Sequence, residues 1–280
     1  MQFEAVIIAA LQKIESAMIL LIYLAVGAFA GFTAGLFGVG GGLVIVPALV
    51  ACFTLLAVAP EVIMHLAVGT SLAAIVVSSL SSTRAHHKMG NVDWPRWRQL
   101  APGITIGVML GVATAATLSG ETLKLAFGVF AIVIGLYMGF AAQPPASRQL
   151  PGAKGLLVAG LGIGYVSAWF GVGGGSLTVP YLSWCNVRMQ QAVATSAACG
   201  LPIAVVGALS NVIAGYGHAD LPVYSSGFVY WPAFLGVVVL SAPAAKWGAQ
   251  LAQRLSQRRL RQAFAGFLFV VGSQFIWGAI

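Results

Sequence analysis

Two stretches of this chain, Phe37–Gly42 and Phe170–Gly175, both read F-G-V-G-G-G, and a proline follows each at the same spacing, Pro47 and Pro180. The residues around them, Gly31–Leu49 and Gly164–Leu182, align without a gap. Glycine in a helix interior costs roughly 1 kcal/mol relative to alanine, so three in a row break any helix that reaches them. These breaks lie in apolar surroundings. Of the residues, 59% are hydrophobic and only 7% charged, against about 25% charged in soluble domains. Apolar runs near the crossing length of about 20 residues recur along the chain, and no alternating segments of the kind a membrane β-barrel needs are found. An all-α polytopic membrane protein is the expected class.

The apolar segments run Ala17–Phe37, Gly42–Val58, Val62–Thr83, Trp97–Leu118 and Thr122–Ala142, then, past a proline-rich connector at 143–153, Lys154–Phe170, Gly175–Cys185, Met189–Ile213, Ser225–Trp247 and Leu260–Ile280. About 8–10 of them are expected as membrane helices. Met1–Ser16 lacks the basic start and cleavage site of a signal peptide and reads as an interfacial helix. The repeat extends beyond the glycines. A-V-G-T-S at Ala67–Ser71 answers A-V-A-T-S at Ala192–Ser196, Asp93-Trp94-Pro95 answers Asp220-Leu221-Pro222, and L-K-L-A-F at Leu123–Phe127 answers L-R-Q-A-F at Leu260–Phe264. One transmembrane domain over 1–280 follows, in which a five-segment unit is used twice, at about 17–142 and 154–280.

An odd number of crossings per unit turns the second copy upside down. Charge tests this independently. Arg84, Lys88, Arg96 and Arg98 follow the third segment, whereas the counterpart Gly215–Tyr224 has no lysine or arginine; the fourth segment is followed by Lys124, its counterpart by Lys246, Arg254, Arg258, Arg259 and Arg261. Equivalent loops with opposite basic bias are what inversion predicts under the positive-inside rule. The amino terminus is then outside, and the basic loops 84–98 and 246–261 are cytoplasmic. The net charge of +8 reflects this orientation, and no nucleic-acid partner is expected. Cys52, Cys185 and Cys199 have no metal-ligand spacing and read as small buried residues. No metal, cofactor or catalytic residue is expected.

Glycine-rich turns invite a nucleotide reading, but no lysine follows either tract, and Leu43 and Ser176 stand where a dinucleotide fingerprint needs glycine. Close helix packing explains spaced glycines such as Gly103, Gly107 and Gly111, not three consecutive ones with a matched proline. A helical hairpin broken inside the membrane remains, tolerated where irregular backbone is buried or lines a cavity. The segment Gly175–Cys185 spans about 16 Å and cannot cross a core of about 30 Å, so it reads as re-entrant. Each tract precedes a helix start, whose free N–H groups and positive dipole end favour an anion. The candidate substrate-binding residues are Gly38, Gly40, Gly41 and Gly42 in the first tract and Gly171, Gly173, Gly174, Gly175 and Ser176 in the second. Thr70, Ser71, Thr195, Ser196 and Asn211 join them; for each Thr-Ser pair, back-bonding to the helix is the alternative. His65, His86, His87 and His218 fall near segment ends and read as solvated loop residues, so no base is in place for an intramembrane enzyme.

The paired F-G-V-G-G-G-x(4)-P tracts, with A-V-x-T-S downstream, resemble the sulfite exporter TauE/SafE family of membrane transporters (the TSUP group), over nearly the whole chain. That resemblance implies transport of a small sulfur-containing anion (sulfite, sulfonate or sulfoacetate) across the bacterial inner membrane. Moving one charge through 100 mV is worth about 2.3 kcal/mol, so a dianion leaving a negative interior gains roughly twice that. Export therefore needs no coupled ion. An anion channel and a proton-coupled uptake permease are the alternatives.

Overall fold

The computed structural model describes residues 18, 20–33, 41–140, 150–252 and 257–279. The interfacial helix expected at Met1–Ser16 and most of the connector lie outside them. Among the described residues there are ten helices: α1 (Leu20–Thr33), α2 (Gly42–Leu55), α3 (Pro60–Lys88), α4 (Trp94–Ala115), α5 (Gly120–Phe140), α6 (Ala153–Phe170), α7 (Gly175–Trp184), α8 (Met189–Ala214), α9 (Trp231–Ala252) and α10 (Gln257–Trp277). A two-stranded antiparallel hairpin, β1 (Ser225–Ser226) and β2 (Val229–Tyr230), precedes α9. By length and apolarity α3, α5, α6 and α8 can each cross a membrane. The chain is therefore an all-α polytopic membrane protein.

Helix α3 and helix α8 pack against each other, with α4 against α6 and α5 against α10 around them. With lipid as apolar as the helices, close approach rather than hydrophobic burial holds such pairs together. The α4–α6 seam shows how. A Cβ on Gly103 or Gly107 would fall on the carbonyl oxygens of Leu157 or Leu161, and one on Gly111 would stand 2.6 Å from the Tyr165 oxygen. From the other side, Gly160 and Gly164 meet the carbonyls of Leu100 and Ile104. Helices α1 and α9 meet in the same way: Gly27 lies 2.6 Å, at its Cβ position, from the Gly236 oxygen, and Gly31 abuts Ser241. Gly27 and Gly31 precede the first tract at the spacing with which Gly160 and Gly164 precede the second.

Helices α2 and α7 start at the last glycine of each tract, Gly42 and Gly175. Helix α2 has 14 residues and α7 has 10, about 21 Å and 15 Å long, so neither reaches across a core of about 30 Å. Both end in the same turn. The N–H groups of Leu56 and Val58 bond to Cys52 and Phe53, those of Cys185 and Val187 to Tyr181 and Leu182, around Ala57 (φ 52°) and Asn186 (φ 62°) in the left-handed region. Counted from these turns, the partner of Cys52 is Tyr181. Cys52 and Cys185 correspond only when counted from the glycines, because α7 is one helical turn shorter; both are buried and neither is in a disulfide, like Cys199.

Two expected boundaries move. The segment read as Ser225–Trp247 begins as the β-hairpin, which turns at Gly227 (φ 53°), and helix starts only at Trp231-Pro232, where proline suits the first turn. Trp94-Pro95 opens α4 in the same way, so its structural counterpart is Trp231-Pro232 rather than Leu221-Pro222. The basic stretch 84–98 is mostly helix: Arg84 and Lys88 end α3, Arg96 and Arg98 begin α4, and only 89–93 connects them. Asp93 caps α4 by accepting from the Arg96 N–H at 3.1 Å and pairs with the Arg96 guanidinium. Within 246–261, α9 runs to Ala252 and α10 resumes at Gln257.

Candidate functional site

Helix α6 stops because Gly171 adopts φ 60°, which only glycine enters without strain. The N–H groups of Gly171 and Val172 both fold back onto the Ser167 carbonyl. The released Gly171 carbonyl accepts a hydrogen bond from Ser71 Oγ of α3 at 2.8 Å. Phe170, the first residue of the tract, is stacked on Phe130 (centroids 4.2 Å apart) and edge-on to Phe127, both on α5. The turn is thus clamped from two sides. Helix α7 starts at Gly175 and α2 at Gly42, with Gly174 and Gly41 as their N-caps, and neither start has a side-chain cap. Their first N–H groups remain outside the helical ladder.

The start of α2 touches the second turn. A Cβ on Gly42 would fall on the Gly171 carbonyl and lie 2.6 Å from Val172 Cα. Gly41, Gly42 and Gly171 to Gly175 therefore form one region; Gly38 and Gly40 lie outside the described residues. Sterics explain three of these glycines. Gly42 abuts the second tract, Gly171 is left-handed, and Gly174 would place its Cβ 2.6 Å from the Ser196 carbonyl on α8. Gly173 differs. Its Cβ would meet only Ile75 Cγ2, at 3.4 Å, an ordinary contact, so packing does not require glycine there.

The hydroxyls separate into two groups. Thr70 Oγ1 accepts the Tyr230 N–H and Thr195 Oγ1 accepts the Asp93 N–H, each at 3.0 Å. The two bonds have the same form: the threonine of one half holds the residue just before the Trp-Pro that opens a helix of the other half. Neither threonine bonds back to its own helix in this way, as the simple alternative had it. Thr70→Val and Thr195→Val each leave a backbone N–H without its acceptor and are expected to cost roughly 1–3 kcal/mol. Thermal unfolding in detergent checks this, with Thr→Ser variants retaining most of the stability; valine variants that melt with the wild type would refute the role.

Ser196 stands apart from that pattern. Its Oγ is buried with no protein partner, as are Ser167 Oγ at the end of α6 and Thr178 Oγ1 in α7. Ser176 Oγ reaches the Gly173 carbonyl only at 3.4 Å, a weak bond. Burying a hydroxyl without a partner is costly, and three such groups belong to the helices that flank the second turn. Ser167 and Thr178 escaped the sequence reading because neither is duplicated: alanine and isoleucine, Ala34 and Ile45, occupy the aligned positions of the first copy. A lone hydroxyl within one turn of a glycine tract was the available signal.

Two other residues sit elsewhere. Asn211 is near the end of α8, not midway along it; its Nδ2 donates to the Gly207 carbonyl at 2.8 Å, and its own carbonyl accepts from Phe228 of the hairpin. His65 is buried rather than solvated: Nε2–H donates to the Ala115 carbonyl at 3.1 Å and the ring lies against Phe228. The C-terminal carbonyls of α4 need donors, and His65 supplies one. His87 and His218 are exposed, as expected, and His86 is half-buried.

The family model described as "Sulfite exporter TauE/SafE" matches residues 23–275. A probable membrane transporter protein of Haemophilus influenzae is 36% identical over 90% of this chain and 96% of its own length. One of Methanocaldococcus jannaschii is 27% identical, covering 93% of this chain and 96% of its own. No solved structure matches the chain.

Proposed function

The chain belongs to the sulfite exporter TauE/SafE family of membrane transporters, and we propose that it is a secondary transporter exporting a small sulfur-containing anion, of the sulfite, sulfonate or sulfoacetate class, across the cytoplasmic membrane. The observation that carries this reading is the contact of one uncapped helix start, that of α2 at Gly42, with the glycine turn Gly171–Val172 that leads into a second, that of α7. Unpaired N–H groups at a helix start bind oxyanions without a cationic side chain. Gly173 leaves room for an oxygen to approach the backbone, and the unpartnered hydroxyls of Ser167, Thr178 and Ser196 are available as further donors. Thr70, Ser71 and Thr195 act one step back, holding the turns and the helix starts around them.

Two inverted units, about 17–142 and 154–280, give alternating access by rocking about this point. The exchanged Thr70–Tyr230 and Thr195–Asp93 bonds and the matching α4–α6 and α1–α9 glycine seams support the repeat. The amino terminus is placed outside, which puts Arg84, Lys88, Arg96 and Arg98 on the cytoplasmic side. Isotope counterflow in proteoliposomes with sulfite, thiosulfate, taurine and sulfoacetate tests the reading. Saturable counterflow of one of these anions is expected. Flux without saturation would identify a channel, and accumulation that depends on an inward proton gradient would identify an uptake permease.

A further inference from the structure

We propose that a groove on the outer face of α3, lined by Val77, Leu80, Ser81, Arg84, Ala85 and Lys88, binds an anionic phospholipid. The groove is open to the surface, with a volume of about 430 Å³, and its residues fall three or four positions apart, along one stripe of the helix. The opposite stripe is committed to the protein interior: Ile75, Ser79 and Thr83 are buried, with Ile75 on the side of Gly173 and Ser79 on that of Gly200. The groove therefore faces away from the glycine turns and is not part of the transport site.

Its two ends differ in chemistry. Val77 and Leu80 are 41% and 37% exposed, an apolar surface suited to an acyl chain. One turn further on, Arg84 and Lys88 are both exposed, and neither has an ion-pair partner among the described residues. Asp93 is taken by Arg96, Asp220 lies beside His218, and Glu61 and, next to it, Glu121 lie at the far end of α3. Two unpaired cations one turn apart repel each other, and the carboxyl end of the α3 dipole offsets this only in part. A phosphate diester relieves it. The Arg84 guanidinium matches two phosphate oxygens, Lys88 adds charge, and the Ser81 hydroxyl lies between them and the aliphatic floor. Apolar surface running directly into cations is the composition that selects anionic over zwitterionic lipid at a membrane face.

Native mass spectrometry of the full-length protein, purified in nonionic detergent and titrated with phosphatidylglycerol or phosphatidylcholine, tests this. One tightly retained phosphatidylglycerol is expected, with phosphatidylcholine held far less. Each cation near an anionic group contributes a factor of about five, so R84Q/K88Q is expected to weaken the retained lipid roughly thirtyfold. Leu80→Trp keeps both charges but fills the groove, and it too is expected to lose that lipid. Equal retention of phosphatidylcholine, or wild-type retention of phosphatidylglycerol by either variant, would overturn the assignment. Inorganic phosphate is expected to leave the lipid in place; displacement by phosphate would make this a free-anion site and overturn it as well.

Discussion

Replacing Gly173 with valine is expected to abolish anion binding while the protein still folds. The backbone there is not left-handed, and the one neighbour of an added Cβ is the methyl end of Ile75, at 3.4 Å. The side chain would occupy the space through which an oxyanion reaches the N–H groups at the start of α7. Losing two charge-assisted hydrogen bonds, at about 1.5–3 kcal/mol each, weakens binding by a factor on the order of 10² or more. Gly173→Ala should show a smaller loss. Gly174→Ala provides the contrast: its Cβ stands 2.6 Å from the Ser196 carbonyl, so it should lower thermal stability as well as transport. The pair separates a glycine kept for a ligand from one kept for packing. If Gly173→Val exchanged substrate at the wild-type rate, the proposed site would be wrong.

The membrane class and the helix breaks were legible in the sequence because both depend on local properties. Apolar runs set helix length, and the glycine tracts stop α6 and start α7 at the residues expected. The expectation failed where tertiary contacts decide. His65 looked solvated because it lies one turn into α3, yet the end of α4 and Phe228 cover it. Ser225–Val229 looked helical because it runs directly into the apolar sequence of α9, but Phe228 is inserted between Gly69 of α3 and Asn211 of α8, which needs extended backbone. Thr70 and Ser71 were marked as one polar pair and do different work: Thr70 accepts from Tyr230, whereas Ser71 donates to Gly171. Spacing along one helix cannot distinguish an acceptor for one partner from a donor to another. The partners lie in the other half of the chain.

The other large effect concerns assembly rather than transport. Gly107→Val is expected to prevent α4 from docking on α6, because its Cβ would coincide with the Leu161 carbonyl, which belongs to a rigid helix backbone. A clash with a side chain relaxes by rotamer change, usually at about 1–3 kcal/mol. Here relief requires the helices to separate, and separation also releases the neighbouring contacts of Gly103, Gly111, Gly160 and Gly164. With no hydrophobic term to restore the pair inside lipid, that van der Waals contact is what holds the seam. Gly162 on the partner helix α6 gives the control: a Cβ there meets nothing within 4 Å, so Gly162→Ala removes an unfavourable helix glycine and should leave stability equal or up to about 1 kcal/mol higher. Size-exclusion profiles and melting curves in detergent measure both. A monodisperse Gly107→Val protein melting at the wild-type temperature would show that the seam does not hold α4 in place. The Trp94-Pro95 start of α4 and its Asp93–Thr195 tether would then have to position that helix alone.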